Sequence, residues 1–150
     1  MNPLVARRVG LVISVVTSVF LLVDAAIHVA RVAPVRSAMA GLGFDHDAAV
    51  IIGVLELACL ALYLLPRTAV LGLVLFTAYL GGAVCANFRV DKPLWSTLLF
   101  PVYVAVALWV GLWLRDEQVR AVLPVRRGML STKRQMTSSS PSAELSESVA

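Results

Sequence analysis

The chain has 150 residues, of which 59% are hydrophobic and only 15% charged, whereas a soluble domain is about half apolar and a quarter charged. An ordinary soluble globule is excluded. The stretches 9–30, 48–65, 69–86 and 94–114 hold Asp24, His28 and Glu56 as their only ionisable residues besides cysteine and tyrosine, leaving about 70 residues elsewhere, too few for an appended soluble catalytic domain.

Each stretch approaches the ~20 residues that a helix needs to cross hydrocarbon, so the chain is expected to be all-α, an integral membrane antiparallel four-helix bundle over residues 9–116. Residues 1–8 form a short N-terminus with Arg7 and Arg8, and span one covers 9–30. A cleaved signal peptide is disfavoured, because its removal would leave an odd number of spans. The connection that follows contains Pro34 and Gly41-Leu-Gly43, and predicts a short interfacial helix over 35–40 ended by glycine. Asp47 is placed to cap span two, 48–65. Pro66-Arg67-Thr68 then forces an antiparallel hairpin, with Thr68 placed to cap span three, 69–87. That span carries Ala78, Gly82 and Ala86 at i, i+4 spacing, which predicts close packing of Gly82 against span one or two. Span four, 94–114, is expected to kink at Pro101. Its Trp95, Trp109 and Trp113 fall at interfacial depths. Residues 117–130 read as an amphipathic surface segment and 131–150 as a disordered tail.

Position explains the net charge of +4. Arg7, Arg8, Arg67 and six basic residues after span four share one side, against Arg31, Arg36, Arg89 and Lys92 on the other, which places both termini in the cytoplasm. Nucleic acid is not expected as a partner. Cys59 and Cys85 lack CxxC or metal-ligand spacing, and their depths differ by roughly 15 Å, which argues against a disulfide and against thiol redox chemistry.

Charge is costly in hydrocarbon, so the intramembrane ionisable residues are the functional candidates. Asp24 and His28 are four apart on one helix face, where the carboxylate can orient the imidazole. Glu56 sits near the middle of span two. The surroundings favour the neutral acid there, so Glu56 is expected to hold a proton that it can donate. At 1.5 Å per residue, Glu56, Tyr79 and Tyr103 come out about 14–16 Å deep, Asp24 near 22 Å, and His28 and Asn87 near 28 Å and 27 Å. This predicts a polar column with Arg89 and Ser96 at its outer end and Glu56 at its floor. Asp24, His28 and Glu56 are the candidate catalytic residues, and Tyr79, Asn87, Arg89, Ser96 and Tyr103 the candidate ligand-binding ones.

The run IGVLELACLALYLLPRTAVLGLVLFTAYLGGAV from Ile52, FRVDKPLWSTLLFPVYVAVALWVGLWLRD from Phe88, RAVLP at 120–124 and FLLVDA at 20–25 together resemble the DoxX-like family of small four-helix bacterial membrane proteins. Asp24, Glu56, Pro66, Arg67, Thr68, Tyr79, Gly81, Gly82, Arg89, Pro101 and Tyr103 match its pattern. His28 stands where relatives commonly carry lysine, and Asn87 and Thr97 where they often carry histidine. The resemblance implies a multi-pass protein of the bacterial cytoplasmic membrane, distantly similar to subunits of membrane oxidoreductase complexes.

The reading these residues favour is a buried pocket for a lipophilic small molecule such as a quinone or isoprenoid. Metal-independent acid/base chemistry of isomerase, cyclase or hydrolase type would run on Asp24, His28 and Glu56 without a cofactor. The alternative is a non-catalytic subunit or scaffold of an oxidoreductase complex. Expected partners are the lipid bilayer, the lipophile, and a second copy of the chain or an oxidoreductase. Proton-coupled transport would need the four spans to oligomerise.

Overall fold

Hydrocarbon offers no partner for a backbone amide, so each apolar stretch must close its own hydrogen bonds as a helix. A computed structural model describes residues 3–45 and 47–122, and helices are the only regular elements among them. They are α1 (Pro3–Val29), α2 (Ala33–Gly41), α3 (Ala48–Leu64), α4 (Ala69–Arg89), a π-helical segment Leu94–Leu98, α5 (Phe100–Arg115) and α6 (Glu117–Val122).

Among the described residues three apolar segments are long enough to cross a bilayer: Leu4–Val29, Ala69–Arg89 and Leu94–Arg115. Helix α3 has 17 residues, at the short end of the spanning range. Arg7 and Arg8 lie within α1, which begins at Pro3, instead of preceding the first helix. The predicted interfacial helix is α2, longer than expected at both ends. Helix α6 falls within the expected surface segment, and the expected tail lies outside the described residues.

The fourth apolar stretch is interrupted, which is more than the expected kink. Pro101 has no N–H, and its ring would crowd the Thr97 carbonyl in a continuous α-helix. The preceding turn therefore widens, with Leu98 N–H donating to the Pro93 carbonyl at 3.1 Å and Leu99 N–H to the Leu94 carbonyl at 3.0 Å. Regular α-helix resumes at Phe100.

Helix α1 packs on α3 and α5, and α4 packs on the same two from the other side. Neighbours are antiparallel: Ser14 meets Tyr63, Phe20 meets Phe100, and Trp109 donates to Thr77 Oγ1 at 3.0 Å. The outward faces are apolar, as Val12, Val16, Leu71, Val74, Val102 and Val106 show, while Ser14, Thr17, Ser18 and Glu56 are buried. This inside-out distribution is that of a protein solvated by lipid.

The two ends of the bundle pack differently. At the end holding the α3–α4 hairpin, Tyr63 is fully buried and donates its hydroxyl proton to the Leu108 carbonyl at 3.2 Å. A carbonyl can only accept, so Ser14 must donate to the Tyr63 oxygen, 3.1 Å away. One hydroxyl thereby joins α1, α3 and α5. Arg115 adds a bond to the Tyr63 carbonyl at 3.2 Å and places its guanidinium 4.8 Å from the Tyr63 ring centroid. Gly72 lets α4 lie directly against the backbone of Tyr63, where a Cβ would collide. Phe76, Leu73, Leu108 and Leu112 fill the core around it.

Three local expectations are overturned. Asp47 makes no capping bond, because its carboxylate accepts from Arg31 at 2.8 Å and ties the end of α1 to the start of α3. Thr68 makes none either, since its hydroxyl donates back to the Leu62 carbonyl at 2.9 Å across the hairpin. Gly82 touches no other helix: an added Cβ would have no neighbour within 4 Å. The close glycine contact between α3 and α4 is at Gly72 instead.

Gly72→Ala should destabilise the detergent-solubilised protein by about 1–3 kcal/mol through overpacking. Gly81→Ala, whose Cβ would meet open space, should stay within about 0.5 kcal/mol of the parent. Unfolding followed by circular dichroism compares the two. In the same assay Tyr63→Phe should cost about 1 kcal/mol, because Ser14 and the Leu108 carbonyl both lose their partner.

Candidate functional site

At the other end of the bundle α1 and α3 touch through Gly53. A Cβ there would lie 2.9 Å from the Ala25 carbonyl oxygen and 3.0 Å from His28 Cβ. Glu56 follows one turn along the same face of α3, and Asp24 lies one turn from His28 on α1. The contact therefore gathers all three: one donor atom each of Asp24, His28 and Glu56 lie within 4.8 Å of one another. This replaces the graded column expected from counting residues. The count assumed that residues 9 and 65 lie level, whereas Ser14 stands opposite Tyr63 and His28 opposite Gly53. Helix α1 thus sits roughly 5–10 Å further in than counted, at 1.5 Å per residue.

The three residues stand at the wall of a cavity of about 410 Å³ reached by side chains of all five helices from α1 to α5. Its remaining wall is mostly apolar. Met39 of α2, and Leu42 and Phe44 just beyond it, close one end, and the small residues Gly82, Ala83 and Ala86 of α4 leave the space open. Phe20 and Phe100 line the cavity and are also exposed on the outer face, where their rings pack edge to face at 5.7 Å. They form a rim toward the lipid.

Glu56 has no exposed surface. Its Oε2 accepts from the Tyr79 hydroxyl at 3.1 Å, and its Oε1 meets no donor among the described residues. His28 is oriented first by main chain: Nδ1 lies 2.8 Å from the Asp24 carbonyl oxygen and 3.5 Å from Asp24 Oδ2. Because the carbonyl accepts only, Nδ1 carries the hydrogen, and in the neutral ring the lone pair is on Nε2. Two carboxylates this close in an apolar cavity repel each other, and a proton or a cation shared between them relieves that repulsion.

The candidate ligand-binding residues divide. Tyr79 and Asn87 line the cavity, although Asn87 spends its amide on the Ala83 carbonyl at 2.8 Å. Arg89 does not reach it, and donates instead to the Leu42 carbonyl at the end of α2. Ser96 is exposed beside Thr97, and Tyr103 is half exposed on the outer face of α5. Span depth placed Tyr103 level with Glu56 and Ser96 at the outer end of the column, but the break before Phe100 and the rotation of α5 turn both away. The sequence reading missed Met39, Leu42 and Phe44. Their apolar character in a connection between spans was the available signal.

No curated protein and no solved structure matches the chain. The model of the DoxX-like family matches residues 12–111, a stretch that contains Asp24, His28, Glu56, Tyr79 and the break at Pro101. With that match over most of the helical bundle, the chain belongs to the DoxX-like family.

Proposed function

We propose that this chain is a multi-pass protein of the bacterial cytoplasmic membrane, with both termini cytoplasmic, that binds a lipophilic small molecule and acts on it by acid/base chemistry. The observation that carries the reading is the apolar cavity of about 410 Å³ with Asp24, His28, Glu56 and Tyr79 at its wall. Its volume lies in the range of small-molecule sites, which combine apolar walls with a few convergent polar groups. Access from the lipid side past Phe20 and Phe100 suits a ligand that partitions into the bilayer.

In this reading Glu56 is the acid. Tyr79 occupies Oε2, which leaves Oε1 as the oxygen that faces a ligand. His28 is the base through Nε2, with Asp24 steadying the imidazolium that forms when it takes a proton. The apolar walls hold the substrate's hydrocarbon and exclude water from the proton transfers.

The test uses purified full-length protein in detergent and a panel of quinones, isoprenoid alcohols and polycyclic lipophiles, read by native mass spectrometry for retention and by chromatography for conversion. Gly82→Leu places a bulky side chain in the cavity and is expected to abolish retention while preserving helicity. Glu56→Gln and Asp24→Asn should keep retention and lower turnover by about 10²–10⁴-fold. Parental turnover in both acid variants would sink the acid/base reading. Unchanged retention in Gly82→Leu would remove the cavity as the binding site.

A further inference from the structure

Spacing along the chain shows no metal-ligand set, because Glu56 is 32 positions from Asp24 in sequence. The fold supplies what the spacing hides. We propose that Asp24, His28 and Glu56 hold a single first-row divalent cation of the Mn²⁺, Fe²⁺ or Zn²⁺ type. This goes beyond the lipophile reading: cation binding and lipophile retention are separate properties of the cavity, and a bound cation would take the place of the direct proton transfers by Glu56 and His28.

The geometry fits with little movement. A cation about 2.0–2.2 Å from each of three oxygen and nitrogen donors requires those donors to be roughly 3–4 Å apart, and here all three pairs are within 4.8 Å. Closing those pairs by about an ångström, with the imidazole turned to present Nε2, would bring the donors to ligand spacing. Charge fits as well: two carboxylates and a neutral imidazole balance a dication, so the loaded site carries no net charge into the hydrocarbon.

The independent pointer is Glu56 Oε1. It is fully buried in a residue that lines the cavity wall, and it meets no N–H or hydroxyl donor among the described residues. An unpaired buried oxygen is costly, and a cation beside Asp24 and His28 would satisfy it. The outer contacts are those that metal sites use to orient their ligands. Tyr79 donates to the other oxygen of Glu56 at 3.1 Å, and the Asp24 carbonyl holds His28 Nδ1 at 2.8 Å, leaving the Nε2 lone pair to bind. One nitrogen and two carboxylates suit borderline first-row ions better than Ca²⁺, which takes six to eight oxygens. Three protein ligands at a cavity wall would leave the cation's remaining positions open toward the cavity.

Mn²⁺ is the probe. Full-length protein in detergent, stripped with chelator and free of added lipophile, is titrated with Mn²⁺ and followed by electron paramagnetic resonance, in which bound ion loses the solution six-line signal. One Mn²⁺ per chain is expected, displaced by Zn²⁺, with affinity at least tenfold weaker in each of Asp24→Asn, His28→Ala and Glu56→Gln. Tyr79→Phe should weaken binding while keeping one ion per chain. Asp45→Asn/Asp47→Asn removes the acids of the α2–α3 connection and should leave binding unchanged. Zn²⁺ should also raise the unfolding temperature of the parent but not of Glu56→Gln, which keeps the test decisive if a ligand variant folds poorly. Absence of stoichiometric binding in the parent overturns the site, as does binding undiminished in His28→Ala and Glu56→Gln. Lipophile retention is measured separately in chelator, so the two proposals fail independently.

Discussion

The contact between α1 and α3 at Gly53 is the constraint on which the site depends. A hydrogen in place of a side chain lets the Ala25 carbonyl and the His28 Cβ come against α3, and that proximity carries Asp24 and His28 to Glu56. Neither helix could gather the three donors alone: α1 offers an i, i+4 pair, and α3 a single carboxyl one turn from its glycine. In lipid, apolar surface gains little by facing another helix, so close backbone approach and buried polar bonds determine where helices meet. Gly53 fixes the approach at the cavity end, and Gly72 with the Tyr63 hydroxyl fixes it at the other.

Those two fastenings give the bundle unequal halves. Around Tyr63 the helices interlock, with Phe76, Leu73, Leu108 and Leu112 filling the space. Along the cavity α4 presents the small residues Gly82, Ala83 and Ala86 between Leu80 and Asn87. The cavity is what remains when helices held at one end present small residues at the other. The break before Phe100 contributes, since Pro101 forces the chain to change helical winding where the cavity wall passes from α4 to α5. Arg89 then anchors α2 through the Leu42 carbonyl, so the connection between α1 and α3 closes over one end of the cavity.

Glu56 gives that cavity its chemical character. A carboxyl with no exposed surface and one hydrogen bond is expensive in an apolar interior, and the fold does not relieve it with an arginine or lysine among the lining residues. It supplies a second carboxyl and an imidazole instead. Such a cluster is favoured by a proton or a cation shared among its members.

Much of the architecture was legible in the sequence. Apolar runs of near-spanning length, Pro66 between two of them and Pro101 within the last require only the length and hydrogen-bonding needs of a helix, which are local properties. The residues too polar for their surroundings were legible for the same reason, and Asp24, His28 and Glu56 stand out in any reading of composition by position. Which of them meet was decided only by the tertiary structure. Helix offset and rotation depend on where backbones can approach, so residue counting misplaced Asp24 and His28 relative to Glu56, grouped Tyr103 and Ser96 with the cavity, and assigned to Gly82 the contact that Gly72 makes. The cavity is likewise a property of the assembled helices, because an empty volume is created by side chains that separate segments fail to supply at the same depth.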